Sequence, residues 1–564
     1  MLHTDIEMEL PKHRIRIRKQ GKNNYVYYLL GRKGDSRGNE RDVSVCVGRV
    51  SREGFFHPND AYYARVDPSA RKMASPSLAL PAKDDQSRVG ALLALRHIAE
   101  SNGTTECLKL AFPDRWDLIL SLACYYLLCR DSAAQLFSDF SFDHYLDPGP
   151  IASEATISRL FNQRITEGGI DTFRSAFLRR RIREAGRGRK TVLVDLDSSN
   201  VNCSSPGLEM AERGHPKDDE GLPQVNFAYF YERGSGVPIF YDAFYGSVTD
   251  VSQCLIGMEL FLANLGVEKR SLTYQFVLDR GYFSSKNLDA MDDSGIRFSA
   301  MGRENTALWE HVESHGAEAR SPERMIEPGV YGTRLRGRAF PKGRDYFIYL
   351  FHDSAAEAAG RSGIEASIAR AKKALEGKRV DRGGNLKRTY GNILDIEETR
   401  TGRIRSVRLK SEELAVDLSR CGFFWIVSNV EMEPEAMLRA YRQRDEIEKG
   451  FRAIKSDSDM NKTFARTDAA LRAKVFIGYI TAILRSDLTR RTRDYVSRHP
   501  GMTTQKILLA MDKAIIRKTP AGYLLKYALT AQQQEIMKAI GMEKKLIDKT
   551  IRDINAPQKG RVVV

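Results

Sequence analysis

Thr191-Val-Leu-Val-Asp-Leu-Asp197 reads as a short apolar strand that ends in acid. Tyr274-Gln-Phe-Val-Leu-Asp279 repeats that pattern and is followed at once by Arg-Gly-Tyr. Between them, Val225–Tyr231 and Val237–Phe244 read as strands joined by Glu-Arg-Gly-Ser-Gly, a hairpin. Ser252–Leu265 and Ser284–Met291 carry helical patterns, and Ile296–Ala300 reads as a further strand. Strands followed by helices predict an α/β sheet. Reactive groups in such sheets sit just past strand carboxyl ends, so Asp197 and Asp279 are candidates. Asp195 shares the first strand, two residues from Asp197 and on the same face, and stays open as an alternative.

Downstream, residues 301–420 break the rhythm. Arg334, Arg336, Arg338, Lys342 and Arg344 bracket a strand-like stretch, Tyr346–Phe351 is a strand and Ala355–Leu375 a helix. Short strands are expected around Thr389–Leu394 and at Ile404–Leu409. The segment reads as an inserted, partly β subdomain. Phe423-Phe-Trp-Ile-Val-Ser428 resumes the α/β core and leads into an amphipathic helix that begins near Pro434. On that helix Tyr441, Arg444, Glu448 and Lys455 fall within roughly 60° of one another at about 100° per residue. Ala440, Ile447, Phe451 and Ile454 form an adjoining apolar stripe. A solvated ion-pair face is the plain reading of such a stripe, and Asp445 and Glu446, off it, stay in that reading. Residues 468–487 and much of 503–551 are expected to be helical.

Upstream, Arg14-Ile-Arg-Ile-Arg18, Tyr25–Leu30 and Val43–Val50 read as strands of a small basic sheet, and residues 69–90 as a linker. Helices are expected at Val89–Ser101, Asp117–Cys129, Ser132–Phe140, Ser153–Arg164 and Ile170–Glu184. Ser153 is a candidate N-cap, with Glu154 in the first turn. The run Arg179, Arg180, Arg181, Arg183, Arg187, Arg189 and Lys190, with only Glu184 against it, suits phosphate contacts that position DNA without specifying sequence. The chain thus divides into a basic β arm and linker (1–87), a helical DNA-binding region (88–190) and a first core part (191–300). A β-rich insertion (301–420), a second core part (421–492) and a C-terminal helical region (493–564) follow.

Composition supports a polyanionic partner. The 564 residues carry 89 Lys and Arg against 73 Asp and Glu, a net charge of +16. The longest apolar run, Leu118 to Cys129, is about a dozen residues, too short to span a bilayer. No signal-peptide pattern opens the sequence, and seven scattered cysteines fit reduced, cytoplasmic thiols. Three carboxylates without His or Cys suit hard cations, Mg²⁺ or Mn²⁺, which in pairs activate an attacking hydroxyl and stabilise a leaving oxygen. His215 reads as a surface-loop histidine.

These residues resemble a known family. Asp197-Ser-Ser-Asn-Val-Asn-Cys203 and Asp279-Arg-Gly-Tyr-Phe-Ser look like the first two acidic motifs of bacterial insertion-sequence DDE transposases. Tyr441, Arg444, Glu448 and Lys455 have the spacing of that family's Tyr-(2)-Arg-(3)-Glu-(6)-Lys signature. Gly221-Leu-Pro-Gln and Pro238–Asp250 match its style. The resemblance implies a ribonuclease H-like catalytic core interrupted by a β-rich insertion. It implies Asp197, Asp279 and Glu448 as catalytic ligands of two Mg²⁺ (or Mn²⁺) ions. Tyr441 and Arg444 would contact terminal phosphates, Lys455 and Arg280 further DNA, and Trp309 a flipped base, ordinary packing being its alternative. It implies cut-and-paste cleavage at the terminal inverted repeats of a mobile element and joining of 3′-hydroxyls to double-stranded target DNA. The enzyme would act as a synaptic homodimer, bacterial, cytoplasmic and nucleoid-associated when bound, with no membrane. A silent DNA-binding derivative and a nuclease that hydrolyses without joining are the alternatives.

Overall fold

A computed structural model describes residues 8–21, 23–34, 40–51, 56–67, 86–146, 152–203, 205, 207–214, 221–266, 272–376, 383–401, 404–444, 462–463, 465–519 and 522–555. Glu448, Lys455, Asp445, Glu446, His215 and most of the expected linker lie outside the described residues. The chain divides into two compact units, residues 1–85 and 86–564.

The larger unit is built on a ten-stranded mixed sheet. Numbered within that sheet, its strands are β1 (Thr191–Cys203), β2 (Gln224–Glu232), β3 (Val237–Tyr245), β4 (Thr273–Leu278) and β5 (Arg297–Met301). Then come β6 (Met325–Glu327), β7 (Val330–Arg338), β8 (Asp345–Asp353), β9 (Phe423–Ser428) and β10 (Lys462–Thr463). The spatial order is β6-β7-β8-β9-β5-β4-β1-β2-β3, with β10 also beside β1. β1, β2 and β3 are antiparallel, whereas β4 runs parallel to β1 and β5 parallel to β4. β9 returns antiparallel to β5, and β8 and β7 extend the same sheet. Three strands of the expected insertion are therefore continuous with the core sheet.

Helices cover both faces, which is why β2 is buried along its whole length and reads as near-continuous apolar sequence. Val192, Val194 and Leu196 of β1 face the helices Asp250–Asn264, Ser285–Asp293 and Thr306–Ala319. Val201 and Cys203 face the other way, into a core shared with the helices Trp116–Cys129 and Asp468–Arg491. Tyr479 of the latter packs on Tyr229 and Tyr241, with ring centroids 5.7 and 4.6 Å away. The helix Pro434–Arg442 lies on this second face as well. Its Met437, Leu438 and Tyr441 pack on Val277, Tyr349, Phe351 and Ile426. A separate small core around Ala371, Leu386, Leu394 and Leu414 closes the remainder of residues 354–420.

Several expectations need correcting. β1 does not stop at Asp197; it runs on to Cys203, because Gln224–Asn226 pair with it on one side and β10 on the other. The strand expected near Thr389 is the helix Gly383–Tyr390, and the next strand is Leu394–Glu398. Thr104–Ala111 is a helix that the sequence reading did not include. The C-terminal region holds a hairpin, Ile515–Thr519 with Gly522–Leu525, and Gln86–Arg88 adds to its edge. Ser153 caps its helix as expected, accepting from the Thr156 N–H, with Glu154 next.

The smaller unit is an antiparallel sheet of Ile15–Gln20, Asn23–Gly34, Glu40–Val50 and Phe56–Pro58 in that order. Val26, Val47 and Phe56 pack with Tyr62 and Tyr63 of the helix Asp60–Arg65. Arg18 lies over Tyr27 at 5.0 Å.

Candidate active site

β1 and β4 bring Asp197, in the middle of β1, and Asp279, just past the end of β4, together. Their parallel pairing is in register up to Asp195 opposite Val277. Asp197 and Asp279 each lie two residues further on, at the same level of neighbouring strands, which lie about 4.8 Å apart. The chain turns away after Leu278, and among the described residues the next strand beside β1 is β10, at Asn202 and Cys203. Ser198–Val201 of β1, between the two, are buried.

Asp279 caps the turn Arg280–Tyr282, accepting from the Arg280 N–H at 2.8 Å. The Asp197 carboxylate accepts from the Ser198 N–H at 3.0 Å. One guanidinium spans both: Arg444 reaches Asp197 at 3.8 Å and Asp279 at 3.6 Å. Its side chain is only 5% exposed, against 19% for Asp197 and 42% for Asp279. Burial works to loosen the Arg444 proton. Tyr441, Asp279, Asp197 and Asp195 around it outweigh that, so its pKa sits above the ordinary arginine value. Tyr441 is buried in the last turn of the helix Pro434–Arg442, which ends before Arg444 instead of carrying both residues as expected.

Asp195 differs from Asp197. It is fully buried and gripped by the Arg233 fork, Nε to Oδ2 at 2.9 Å and Nη2 to Oδ1. Burial raises its pKa, and the Arg233 hydrogen bonds and charge oppose the rise. Arg233 also donates to the Ala440 carbonyl, tying the hairpin to the helix end that presents Arg444. In the sequence Arg233 is one residue of the hairpin turn Glu-Arg-Gly-Ser-Gly, with no motif of its own. Counting the antiparallel register from Asp195, opposite Tyr231, puts Arg233 within reach of that carboxylate.

The remaining candidates are dispersed. Arg280 is exposed in the turn after Asp279. Along the helix Glu167–Ala185, Arg179 donates to the Asn264 carbonyl at 2.8 Å. Arg180 pairs with Glu106 and Glu184, and Arg181 with Glu184 at 2.6 Å. Arg189 is 3.9 Å from Glu232, and Lys190 is exposed at the start of β1. Trp309 meets Trp425 edge-on with centroids 4.6 Å apart, and the Arg420 guanidinium lies 4.5 Å over its ring. A base could stack there only by displacing Arg420.

Two part-exposed carboxylates on neighbouring strands, one within β1 and one just past β4, fit a hard divalent cation in ligand type. Among the described residues no cluster of three or more His, Cys, Asp or Glu is placed to hold a metal. Glu448, the third expected ligand, lies outside the described residues.

Residues 188–484 match the family described as Transposase DDE domain, a span that contains both aspartates and Arg444. Among solved structures, the cryo-electron microscopy structure of a piggyBac transposase synaptic complex with hairpin DNA is similar. It has 9% identity and a TM-score of 0.35, over 85% of this chain and 87% of that one. No curated protein matches the chain.

Proposed function

The chain belongs to the transposase DDE domain family, and on that premise we propose that it cuts DNA at the ends of its own mobile element and joins the freed 3′-hydroxyls to target DNA. The observation that carries the reading is the β1–β4 register, which sets Asp197 beside Asp279 inside the matched span. The order β3-β2-β1-β4-β5, antiparallel then parallel, supports a ribonuclease H-like core. Asp197, Asp279 and Glu448 are the proposed ligands of two divalent ions, Mg²⁺ or Mn²⁺. Bound there, the ions would supply an activated attacking hydroxyl and charge stabilisation at the leaving oxygen.

The chain's own residues hold and orient. Asp195 and Arg233 fix the strand and hairpin on the same face as Asp197. Arg444 neutralises the two aspartates, and its guanidinium is the proposed contact for a strand phosphate near them. Tyr441 and Lys455 are the proposed further phosphate contacts. Residues 301–420 are proposed as the family's β-rich insertion, and the acting form as a homodimer holding both element ends.

Incubation with Mg²⁺ and a duplex carrying the element end is the test. D197N, D279N and E448Q are each expected to lose nicking and joining by on the order of 10³-fold or more, while DNA binding and E446Q remain as parent. Binding without nicking by the parent chain would mark a silent binder, and nicking without joined product a simple nuclease. Full cleavage by D197N would sink the assignment.

A further inference from the structure

The turn between β2 and β3 holds one side chain still. The Glu232 carboxylate accepts from the Gly234 N–H at 2.7 Å and the Ser235 N–H at 2.8 Å. The Arg233 N–H donates to the Leu193 carbonyl of β1 at 3.1 Å. The Arg233 side chain is buried and donates from three nitrogens. Nε and Nη2 go to the two oxygens of Asp195. Neutralising Asp195 needs no more than these. Nη1 goes elsewhere, to the Ala440 carbonyl at the end of the helix Pro434–Arg442. Ala440 stands three residues before the C-cap Gln443, among the last four carbonyls that a helix cannot pair within itself. That end carries the negative pole of the helix dipole, which a guanidinium suits.

Four residues past Ala440 stands Arg444, which reaches Asp197 at 3.8 Å and Asp279 at 3.6 Å. Asp197 in turn lies two residues past Asp195 on β1. The contacts therefore close a ring. Asp195 holds Arg233, Arg233 holds the helix end, the helix end presents Arg444, and Arg444 returns to β1 at Asp197. We propose that Arg233 is a positioning residue for Arg444, fixing where that guanidinium stands between the two aspartates, a role that rests on the reading of Asp197 and Asp279 as a DNA-cleavage site. The role is one of geometry beyond charge. Lysine could neutralise Asp195, but its ammonium is a point charge, whereas a planar fork serves carboxylate and carbonyl at once.

The test uses the full chain with R233K, R444Q and the double variant R233K/R444Q. R233K keeps a positive charge beside Asp195 and gives up the fork. Hydrogen exchange is the first readout. Amides of residues 439–444 are expected to exchange about 5- to 10-fold faster in R233K, with those of the helix Trp116–Cys129 unchanged. Nicking of a duplex that carries the element end, in Mg²⁺, is the second. R233K is expected to nick about 10-fold more slowly than the parent, and R233K/R444Q no more slowly than R444Q alone, because the two arginines act as one unit. An arginine that merely neutralises Asp195 would give parent-like nicking in R233K, or losses that multiply in the double variant. Either result overturns the proposal, and so does unchanged exchange at residues 439–444. Should R233K fail to fold, D195N/R233Q, which leaves no unpaired charge, replaces it with the same expectations. Failure of that variant to fold as well would mark Arg233 as structural only and overturn the positioning role. Were the parent to nick and R233K to match it in both readouts, the positioning role would fail while the function stood. Were the parent never to nick, the function would fail, and exchange at residues 439–444 would decide alone whether Arg233 holds the helix end.

Discussion

Asp195 and Asp197 are two apart on β1, point to the same face and have different work. Asp195 has both oxygens on one buried arginine; Asp197 is part-exposed and lies 3.8 Å from Arg444. Removing one partner of a buried pair leaves the other charge uncompensated, which costs about 3–5 kcal/mol. Asp195→Ala is therefore expected to destabilise the protein by that order, read by chemical denaturation, whereas Asp197→Asn should change stability by less than about 1 kcal/mol. Equal losses in the two variants would refute this division. The sequence already marked both aspartates and their shared face. It did not distinguish them, because the distinction lives in Arg233, brought alongside by a hairpin whose register is set by tertiary pairing. Arg444 was legible as a member of a polar stripe. That it lies between both aspartates was not, since no spacing along the chain encodes the distance between two neighbouring strands and the residue that follows a helix end.

At the scale of elements, apolar strands were the most readable parts. Phe423–Ser428 has the bounds its composition suggests, and β4 is offset by one residue at each end. Polar strand segments were opaque. Ser198-Ser-Asn-Val-Asn202 lies beyond the strand expected to end at Asp197, yet Ser198, Ser199, Asn200 and Asn202 are buried in β1. Part of their cost is met locally, as where the Asn200 amide donates to Asn202 at 2.9 Å. Short elements that depend on distant partners were missed for the same reason, including the pairing of Gln86–Arg88 with Ile515–Arg517.

That pairing is fastened by Asp512, at the end of the helix Thr504–Asp512, which binds Arg88 at 2.8 Å and His144 at 3.1 Å. Burial works to raise the Asp512 carboxyl, but His144 and Arg88 outweigh it and hold its pKa below the usual value. A carboxylate depressed in the folded state adds stability above its unfolded pKa, about 3.9, and loses it as pH falls through the folded value. D512N is expected to cost about 1–3 kcal/mol at pH 7. Its deficit against the parent should shrink below about pH 4. A deficit that stays constant down to pH 3 in denaturant titrations would contradict the role.

At the scale of the whole molecule, the two units predict where the chain can be cut. A protein starting at Gln86 keeps every contact of the larger unit and should melt at the parent temperature within a few degrees. One starting at Gly90 lacks the Gln86–Arg88 strand and the Arg88–Asp512 pair, and should lose about 2–3 kcal/mol. Matching melts for both truncations would show that the edge strand contributes nothing. The positive charge was legible from composition alone. That the helices before β1 and those after residue 470 form one core was not.

That shared core sets a timetable for synthesis. Val89 and Ile551 belong to the same buried cluster, so its first and last members are made 462 residues apart. At about 5–20 residues per second a ribosome needs roughly 20–90 s to cover that interval. Throughout it, the apolar faces of Gly90–Ser101 and Trp116–Cys129 wait for the helices that will cover them. A nascent chain that has already made both aspartates still lacks the helix Asp468–Arg491, whose Tyr479 packs on Tyr229 and Tyr241 of the sheet. Chains terminated before that helix should therefore be sticky, with this core still uncovered.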